Sequence, residues 1–121
     1  FCTDSTRDFL DMDDFMKLMD HILFSPTVPG TYNVSTGEGK SIRDIFDAVA
    51  DYLNIECETP PTVPTGEDDI QTVILDPTKT ESTLGWKAMT AFEAMITKQL
   101  QWYDQNGVTS IYSHLSQANT K

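Results

Sequence analysis

The chain has 121 residues, of which 39% are hydrophobic, and a formal net charge of −11. This length predicts one domain at most and is short for an enzyme that holds a cofactor domain of its own. The negative charge disfavours nucleic acid and anionic membrane surfaces as partners, and no apolar run approaches the roughly 20 residues of a membrane span. We therefore expect a module or a fragment of a larger protein, in keeping with a sequence that opens at Phe1 rather than at methionine.

Cysteine usage points to a reducing environment. The two cysteines, Cys2 and Cys57, lie far apart in the sequence, and neither has a second pair of ligands nearby. The sequence therefore predicts no zinc site and no dense disulfide framework. The basic, apolar and small-residue series of a signal peptide is missing as well. We expect a protein of the cytoplasm.

Two strand–helix units are predicted in the first half of the chain. Residues 7–12 read RDFLDM, which is typical of a short strand, and Asp11 or Asp13 can cap the helix that follows. Residues 31–35 predict a second strand, and residues 36–39 a turn. Ser41 is a natural N-cap for the next helix, and Asp44 three residues later makes a weaker relative of the capping box.

The second half begins with a loop over residues 58–69, which contain three prolines and no helical period. Residues 70–75, IQTVIL, then predict a strand. Asp76 can cap a short helix over residues 77–84, and Gly85 supplies the left-handed residue just past its end. Because two helical turns are not stable alone, we expect this helix to pack on a larger unit through Leu84 and Trp86.

The last predicted helix begins at a Thr-x-x-Glu capping box, Thr90 and Glu93, and stops at Asn106 and Gly107. Residues 108–121 follow as a tail. The predicted fold class is therefore α/β, or α+β-like, with three or so short strands and about four helices. So small a sheet cannot bury both of its faces unless a neighbouring domain or a partner covers it.

No catalytic constellation assembles in the sequence. His21 and His114 lack motif partners, and the chain contains neither the glycine-rich motif of a dinucleotide site nor a Y-x-x-x-K pair. The acidic residues Asp11, Asp13 and Asp14 lack the glycine and glutamate of an EF-hand loop, so helix capping explains them better than a metal site. We predict no catalytic, cofactor-binding or metal-ligating residue in this chain.

Two features are candidates for ligand binding. Arg7 precedes a strand that leads into a helix, and an arginine can hold a phosphate through two parallel hydrogen bonds. An ion pair with a nearby carboxylate is the alternative. The acidic run Glu67, Asp68 and Asp69 lies in the predicted loop. Its carboxylates are either solvated or accept hydrogen bonds from the hydroxyls of a sugar or ribose.

Three motifs occur in a fixed order: RDFLDMDDF, GTYNVSTGEGKSI and ILDPTKTESTLGWKAMTAFEAMITKQLQWYDQNG. This ordered set resembles the C-terminal part of the extended short-chain dehydrogenase/reductases, the NAD-dependent nucleotide-sugar epimerases and dehydratases. The resemblance implies that residues 1–107 are a nucleotide-sugar-binding domain without its Rossmann half. It also implies that NAD and the Y-x-x-x-K pair belong to the missing N-terminal domain, where a hydride passes transiently from the sugar to NAD through a keto-sugar.

The resemblance assigns two substrate-binding residues. Arg7 matches the arginine of the family's RD-aromatic motif, which in several members approaches the nucleotide diphosphate. Asp69 matches the aspartate of an R-x-G-D segment that helps to hold the nucleotide. Gly66 and Asp68 stand where this segment has its arginine and its glycine, so half of that clamp is absent.

The expected partners follow from the same resemblance. The sequence GVTSIYSHL near the C-terminus is similar to CDP-sugar epimerases such as those that make tyvelose from paratose, whereas UDP-sugar 4-epimerases share most of the other features. We therefore expect a CDP- or UDP-sugar as ligand, the protein's own Rossmann domain as neighbour, and a homodimeric full enzyme. The alternative is a stand-alone acidic protein-interaction module without catalytic activity, which kept this architecture after losing its cofactor domain.

Overall fold

Four helices and five short strands make up the part of the chain that the computed structural model describes, residues 2–107. In chain order these are β1 (Cys2–Thr3), β2 (Thr6–Asp8), α1 (Met12–Phe24), β3 (Gly39–Ser41), α2 (Ile42–Leu53), β4 (Thr62–Val63), β5 (Thr72–Val73), α3 (Thr78–Leu84) and α4 (Phe92–Asn106). This mixed architecture confirms the predicted α/β class. The tail predicted over residues 108–121 lies outside the described residues.

Strand β2 lies at the centre of a three-stranded sheet with the order β3-β2-β5. It pairs antiparallel with β3 and parallel with β5, and the register places Arg7 opposite both Lys40 and Val73. A second, two-stranded sheet is formed by the parallel pair β1 and β4. Arg7 therefore projects from the middle strand of the larger sheet.

The strand predictions are correct in place for two segments and wrong for a third. Strand β2 ends at Asp8 and β5 covers only Thr72–Val73, so both are shorter than predicted, while residues 31–35 form no strand. Residues 31–35 are connected to the neighbouring segment by side-chain hydrogen bonds instead of a ladder of backbone hydrogen bonds. The Asn33 side-chain amide donates to the Asp76 carbonyl at 3.1 Å, and the Ser35 hydroxyl donates to the Leu75 carbonyl at 3.2 Å.

The predicted turn and the predicted loop each contain a strand that local pattern did not reveal. Strand β3 begins at Gly39, inside the predicted turn, and β4 lies inside the predicted loop over residues 58–69. Both are two or three residues long and owe their extended form to partners distant in sequence, β2 and β1. Pairing across such a distance leaves no periodic signal in so short a segment.

The caps of the first two long helices are confirmed. The Asp11 carboxylate accepts from the Asp13 backbone N–H at 2.8 Å and so caps α1. At the start of α2 the capping box is complete: the Ser41 hydroxyl accepts from the Asp44 N–H, and the Asp44 carboxylate accepts from the Ser41 N–H. Each cap satisfies N–H groups that have no partner inside the first turn of a helix.

The short helix α3 begins and ends close to the predicted residues. The Asp76 carboxylate accepts from the Thr78 N–H at 2.9 Å, with Pro77 as the residue before the helix. Gly85 has a φ of +64° and its N–H donates to the Glu81 carbonyl, as a left-handed helix end requires. Leu84 and Trp86, on either side of this glycine, are buried together with Leu18 of α1, which confirms the expected packing.

The capping box predicted for the last helix is wrong. Helix α4 begins at Phe92 with Ala91 as its N-cap and without a side-chain capping bond. The backbone N–H of Thr90 instead donates to the Asp14 carboxylate at 2.7 Å, so this residue is held outside the helix by a distant partner. The predicted end is confirmed, because the Gly107 N–H donates to the Tyr103 carbonyl at 2.7 Å.

Asp14 is the most deeply buried charged residue in the described part of the chain. Its side chain is 1% exposed and accepts from the Met89 N–H at 2.8 Å, the Thr90 N–H at 2.7 Å and the Lys17 ammonium at 2.9 Å. Its backbone carbonyl accepts from the Trp86 indole N–H at 3.1 Å. This one residue therefore fastens α1 to the segment that joins α3 and α4.

The electrostatic consequence is a pair of strongly acidic carboxyls at the start of α1. Burial acts to raise the pKa of Asp14, but the hydrogen bonds from Lys17, Thr90 and Met89 outweigh it and hold the pKa well below its usual range. Burial likewise acts to raise the pKa of Asp11, whereas the hydrogen bond from Lys98 of α4 at 2.9 Å lowers it. The acidic cluster serves helix capping, as predicted, and also binds α4 to α1.

The sheet is covered on only part of its surface. The apolar residues of the segment around β5 remain open to solvent, with exposed fractions of 64% for Ile70, 37% for Val73, 41% for Ile74 and 43% for Leu75. A buried strand would expose almost none of these side chains. The small sheet therefore leaves apolar surface exposed around β5, where a neighbouring domain or a partner could cover it.

Replacing Asp14 with alanine tests its structural role. We expect Asp14→Ala to lower the free energy of unfolding by about 2–3 kcal/mol, because the N–H groups of Met89 and Thr90 lose their acceptor. Thermal and urea unfolding measure this change. Asp20→Ala, which removes an exposed carboxylate from the same helix, is the matched control and should change stability by less than about 0.5 kcal/mol. Equal effects of the two substitutions would contradict the assignment.

The acid sensitivity of the fold tests the lowered pKa values. Asp14 and Asp11 stabilise the folded chain fully above about pH 4, the value of an unfolded aspartate, and this contribution is lost as the pH falls toward their folded pKa. Urea unfolding between pH 7 and pH 3 should therefore show a steep loss of stability in wild type and a shallower one in Asp14→Asn, which cannot titrate at this position. Parallel pH profiles would show that Asp14 is not responsible.

Candidate functional site

The two predicted substrate-binding residues come together in the structure. The Arg7 Nη2 atom lies 3.3 Å from the Asp69 Oδ1 atom, although the residues are 62 positions apart in the sequence. The Arg7 Nη1 atom also donates to the Thr6 carbonyl at 2.8 Å. The side chains of Arg7 and Asp69 are 37% and 52% exposed. At this exposure an ion pair stabilises a protein by at most about 1 kcal/mol, so a ligand can open it easily.

The meeting of these residues follows from the pairing of β2 with β5. The Thr6 N–H donates to the Gln71 carbonyl at 2.8 Å, and Thr6 stands opposite Thr72 in the parallel register. The chain just before β5 therefore runs beside the start of β2. A turn closed by the hydrogen bond from the Asp69 N–H to the Gly66 carbonyl, 3.1 Å long, directs Asp69 toward Arg7.

The loop that carries Asp69 is anchored at a second point. The Asp4 carboxylate accepts from the Thr65 N–H at 2.7 Å and from the Thr65 hydroxyl. Both bonds lower the pKa of the Asp4 carboxyl below its ordinary value, and the bond from the Thr65 hydroxyl has the larger effect. The sequence reasoning missed this anchor, since Asp4 and Thr65 are 61 positions apart and neither belongs to a local motif.

Asp8, the acid of the RD pair, shapes the far end of β2. Its carboxylate accepts from the Thr36 N–H at 2.9 Å, the Thr36 hydroxyl at 2.6 Å and the Gly37 N–H at 2.9 Å. Gly37 has a φ of +79°, a conformation that favours glycine. Sequence reasoning assigned no role to Asp8, yet its place directly after Arg7 was the available signal. The Asp8 carboxylate fixes the turn that leads into β3, and this turn sets the position of Lys40.

Three surface clefts surround this region. Arg7 borders a cleft of about 140 Å³ with Val34, Ser35 and Leu75. Lys40 borders one of about 220 Å³ with Phe9 and Phe92, and Trp102 borders a third of about 530 Å³ along α4. Within residues 2–107 no group of three or more His, Cys, Asp or Glu side chains is arranged to hold a metal ion, and no described helix is both long and apolar enough to cross a membrane.

The arrangement around Arg7 suits recognition rather than bond chemistry. A guanidinium binds phosphate, and an adjacent carboxylate accepts hydrogen bonds from hydroxyl groups. A nucleophile with a neighbouring base is what catalysis would require. His21, one of the two histidines, lies half-buried on α1, while His114 lies outside the described residues. The described residues around Arg7 therefore offer one group suited to a phosphate and one suited to a hydroxyl.

Comparison with known families decides the relationship. Residues 2–99 match the family model GDP_Man_Dehyd, described as GDP-mannose 4,6 dehydratase. The chain belongs to this family. Membership of the GDP-mannose 4,6-dehydratase family confirms the resemblance to extended short-chain dehydrogenase/reductases that the ordered motifs indicated.

Two curated relatives show how much of each sequence is similar. The chain is 36% identical over 92 residues to a protein named "Probable UDP-arabinose 4-epimerase 3" from Oryza sativa subsp. japonica, a match that covers 71% of this chain and 22% of that protein. It is 32% identical over 75 residues to a UDP-glucose 4-epimerase from Caenorhabditis elegans, covering 62% and 21% of the two chains. This family member thus spans about a fifth of the length of the curated relatives it matches.

Among solved structures, the enzyme WbmG of Bordetella bronchiseptica, crystallised in complex with NAD and UDP, is 52% identical in sequence. Its TM-score against this chain is 0.82, and the match covers 96% of this chain and 38% of WbmG. The likeness therefore includes nearly the whole described fold.

The hydrogen bonds of Asp8 give a graded prediction for this family member. Asp8→Asn keeps an oxygen acceptor for Thr36 but loses that for the Gly37 N–H, and Asp8→Ala loses all three bonds. We expect losses in the free energy of unfolding of about 1 and about 2 kcal/mol respectively, measured by urea unfolding. The exposed Asp51→Asn is the control, with no expected effect. An alanine variant as stable as wild type would remove Asp8 from the scaffold of the site.

Proposed function

We propose that this chain is the substrate-binding part of an NAD-dependent nucleotide-sugar epimerase or dehydratase. The observation that carries the proposal is the approach of Arg7 to Asp69 at 3.3 Å, which unites an anion-binding group and a hydroxyl acceptor at one exposed position. Support comes from the family match and from the 52% identity to an enzyme crystallised with NAD and UDP. Because the chain spans 38% of that enzyme, the activity is proposed for a complete protein and not for this chain alone.

In the proposed complex Arg7 binds the diphosphate and Asp69 accepts a hydrogen bond from a hydroxyl of the nucleotide. The exposed ion pair between them opens at little cost. Opening it frees N–H donors of Arg7 for phosphate oxygens and leaves the carboxylate of Asp69 available for a hydroxyl. The anchors at Asp4 and Asp8 hold the two sides of this site in place before the ligand arrives.

NAD binding is proposed for a separate Rossmann domain of the complete enzyme. The 121 residues contain neither a glycine-rich dinucleotide motif nor a Y-x-x-x-K pair, so they do not fit the cofactor. When bound, NAD supplies hydride acceptance and return at the sugar. The residues of this chain bind and orient the nucleotide end of the substrate. We further propose that the complete enzyme is a homodimer. We also propose that it acts in the cytoplasm, because both cysteines are free thiols within the described residues.

A UDP-sugar is the favoured substrate over a CDP-sugar. Both curated relatives are named for UDP-sugars, and the 52% identical structure contains UDP. The feature that suggested CDP-sugars, the sequence GVTSIYSHL, falls almost entirely on residues outside the described part. The choice between epimerisation and dehydration rests with the catalytic groups of the proposed second domain.

The stand-alone interaction module remains the second candidate, since one observation favours it. The segment around β5 exposes Ile70, Ile74 and Leu75, and an exposed apolar surface is typical of a protein-binding face. The Rossmann domain of the first proposal would cover the same surface. Sequencing the reading frame upstream of Phe1 separates the candidates, because a glycine-rich strand–turn–helix with Y-x-x-x-K supports the enzyme and a start codon just before Phe1 supports the module.

Substitution of Arg7 in the complete enzyme tests the proposed substrate site. We expect Arg7→Ala to weaken binding of a UDP-sugar by about 10- to 100-fold, because the phosphate loses a charge-assisted hydrogen-bond partner. Isothermal titration measures the dissociation constant, and steady-state kinetics should show a raised KM. Arg43→Ala is the matched control: it removes a similarly exposed guanidinium, 49% exposed, whose recorded partners are Asp47 and Thr62. Unchanged binding by Arg7→Ala would remove this assignment.

A further inference from the structure

The proposed diphosphate site is short of positive charge. A diphosphate carries at least two negative charges, whereas Arg7 shares its guanidinium with Asp69. The same loop adds Glu67 and Asp68, and Gly66 stands where the resemblance places an arginine. In a chain of net charge −11 the surrounding field opposes an anionic ligand. Binding a diphosphate here requires a second cation near Arg7.

The sheet register places Lys40 in that position. Lys40 of β3 stands directly opposite Arg7 of β2 in the antiparallel pair. Directly opposite residues of such a pair project from the same face of a sheet, with their Cβ atoms about 5 Å apart. Two like charges in this arrangement repel each other unless an anion lies between them. Lys40 and Arg7 thus form a cationic row on one face of the sheet.

Lys40 differs from the other cations of residues 2–107 in making neither a hydrogen bond nor a salt bridge, although its charge is one of the causes that lower the pKa of the Asp44 carboxyl, after the hydrogen bonds from Ser41. Each of the others has a hydrogen bond or a salt bridge; their residues are Arg7, Lys17, Arg43, Lys79, Lys87 and Lys98. The Lys40 ammonium lies 5.3 Å from the centre of the Phe92 ring. It lines the cleft of about 220 Å³, which Glu38 and Glu93 also border. Within residues 2–107 neither of these carboxylates forms a salt bridge with Lys40.

We propose that Lys40 binds the phosphates of the nucleotide sugar as the second cation beside Arg7. This inference rests on the proposed function and adds a phosphate-binding residue to it. The ring of Phe92, which also packs against Phe9 at a centroid distance of 6.0 Å, holds the lysine side chain in place while no anion is present. The Phe92 ring and the charge of Asp44 hold the ammonium without a direct salt bridge, so moving to a phosphate breaks no such bond.

The test measures UDP binding to the complete protein by isothermal titration. Lys40→Met removes the ammonium but keeps the aliphatic stem, and we expect it to weaken UDP binding by about tenfold. The loss should be smaller for UMP, which has one phosphate fewer, and UDP binding should depend less steeply on salt. Lys40→Arg should restore most of the affinity. The matched control is Lys79→Met, since Lys79 also lies over an aromatic ring, 4.8 Å from the centre of Tyr32.

The outcomes separate this inference from the function on which it rests. Weaker UDP binding by Lys40→Met, with Lys79→Met like wild type and unchanged thermal stability in both, supports the role of Lys40. Wild-type binding by Lys40→Met together with weak binding by Arg7→Ala overturns the role of Lys40 and leaves the substrate site intact. Wild-type binding by both Lys40→Met and Arg7→Ala overturns the proposed function itself. Equal losses for UDP and UMP also overturn the assignment to the diphosphate.

Discussion

The packing of α1 against the segment between α3 and α4 depends on one buried carboxylate. Burying the charged Asp14 carboxylate is costly unless it is hydrogen-bonded, and its donors come from Lys17 on its own helix and from the backbone of Met89 and Thr90. The same residue receives the indole N–H of Trp86, a core residue. Satisfying Asp14 therefore fixes the path of the chain after α3 and the place where α4 begins.

This constraint reaches the ligand site through α4. With Thr90 bound to Asp14, Phe92 becomes the first residue of the helix and lies against Phe9 and Lys40 of the sheet. The ion pairs from Lys98 to Asp11 and Asp13 fasten the middle of α4 to the start of α1. Asp14 thus helps to position Phe92, which lines the cleft that Lys40 borders.

Local chemistry made much of the helical structure predictable, whereas tertiary contacts decided the rest. Ser41 with Asp44, Asp76 and Gly85 act within four residues of their partners, so the sequence alone revealed their caps. The box at Thr90 failed because a hydrogen bond to Asp14 competed with it. The strand expected over residues 31–35 failed because side chains of Asn33 and Ser35 made the contacts that a backbone ladder would have made.

The candidate site shows the same division. Residue type and family resemblance singled out Arg7 and Asp69, but their approach depends on the pairing of β2 with β5, which no periodicity in either strand specifies. Asp4, Asp8 and Lys40 were not singled out, since their roles come from partners in other strands and loops. Local sequence reasoning identifies chemically suitable side chains, while the register of the sheet determines which of them share a face.

The uncovered β5 has a consequence for the behaviour of the chain in solution. β5 is one of the two edge strands of its sheet, and apolar side chains in it and on either side of it are open to water; such an edge is a template for pairing with another chain. Its ladder of only two residues limits how much of a foreign strand it can bind. The exposed apolar side chains around this edge therefore favour association with another chain, while the short ladder limits how far a second strand can extend along it.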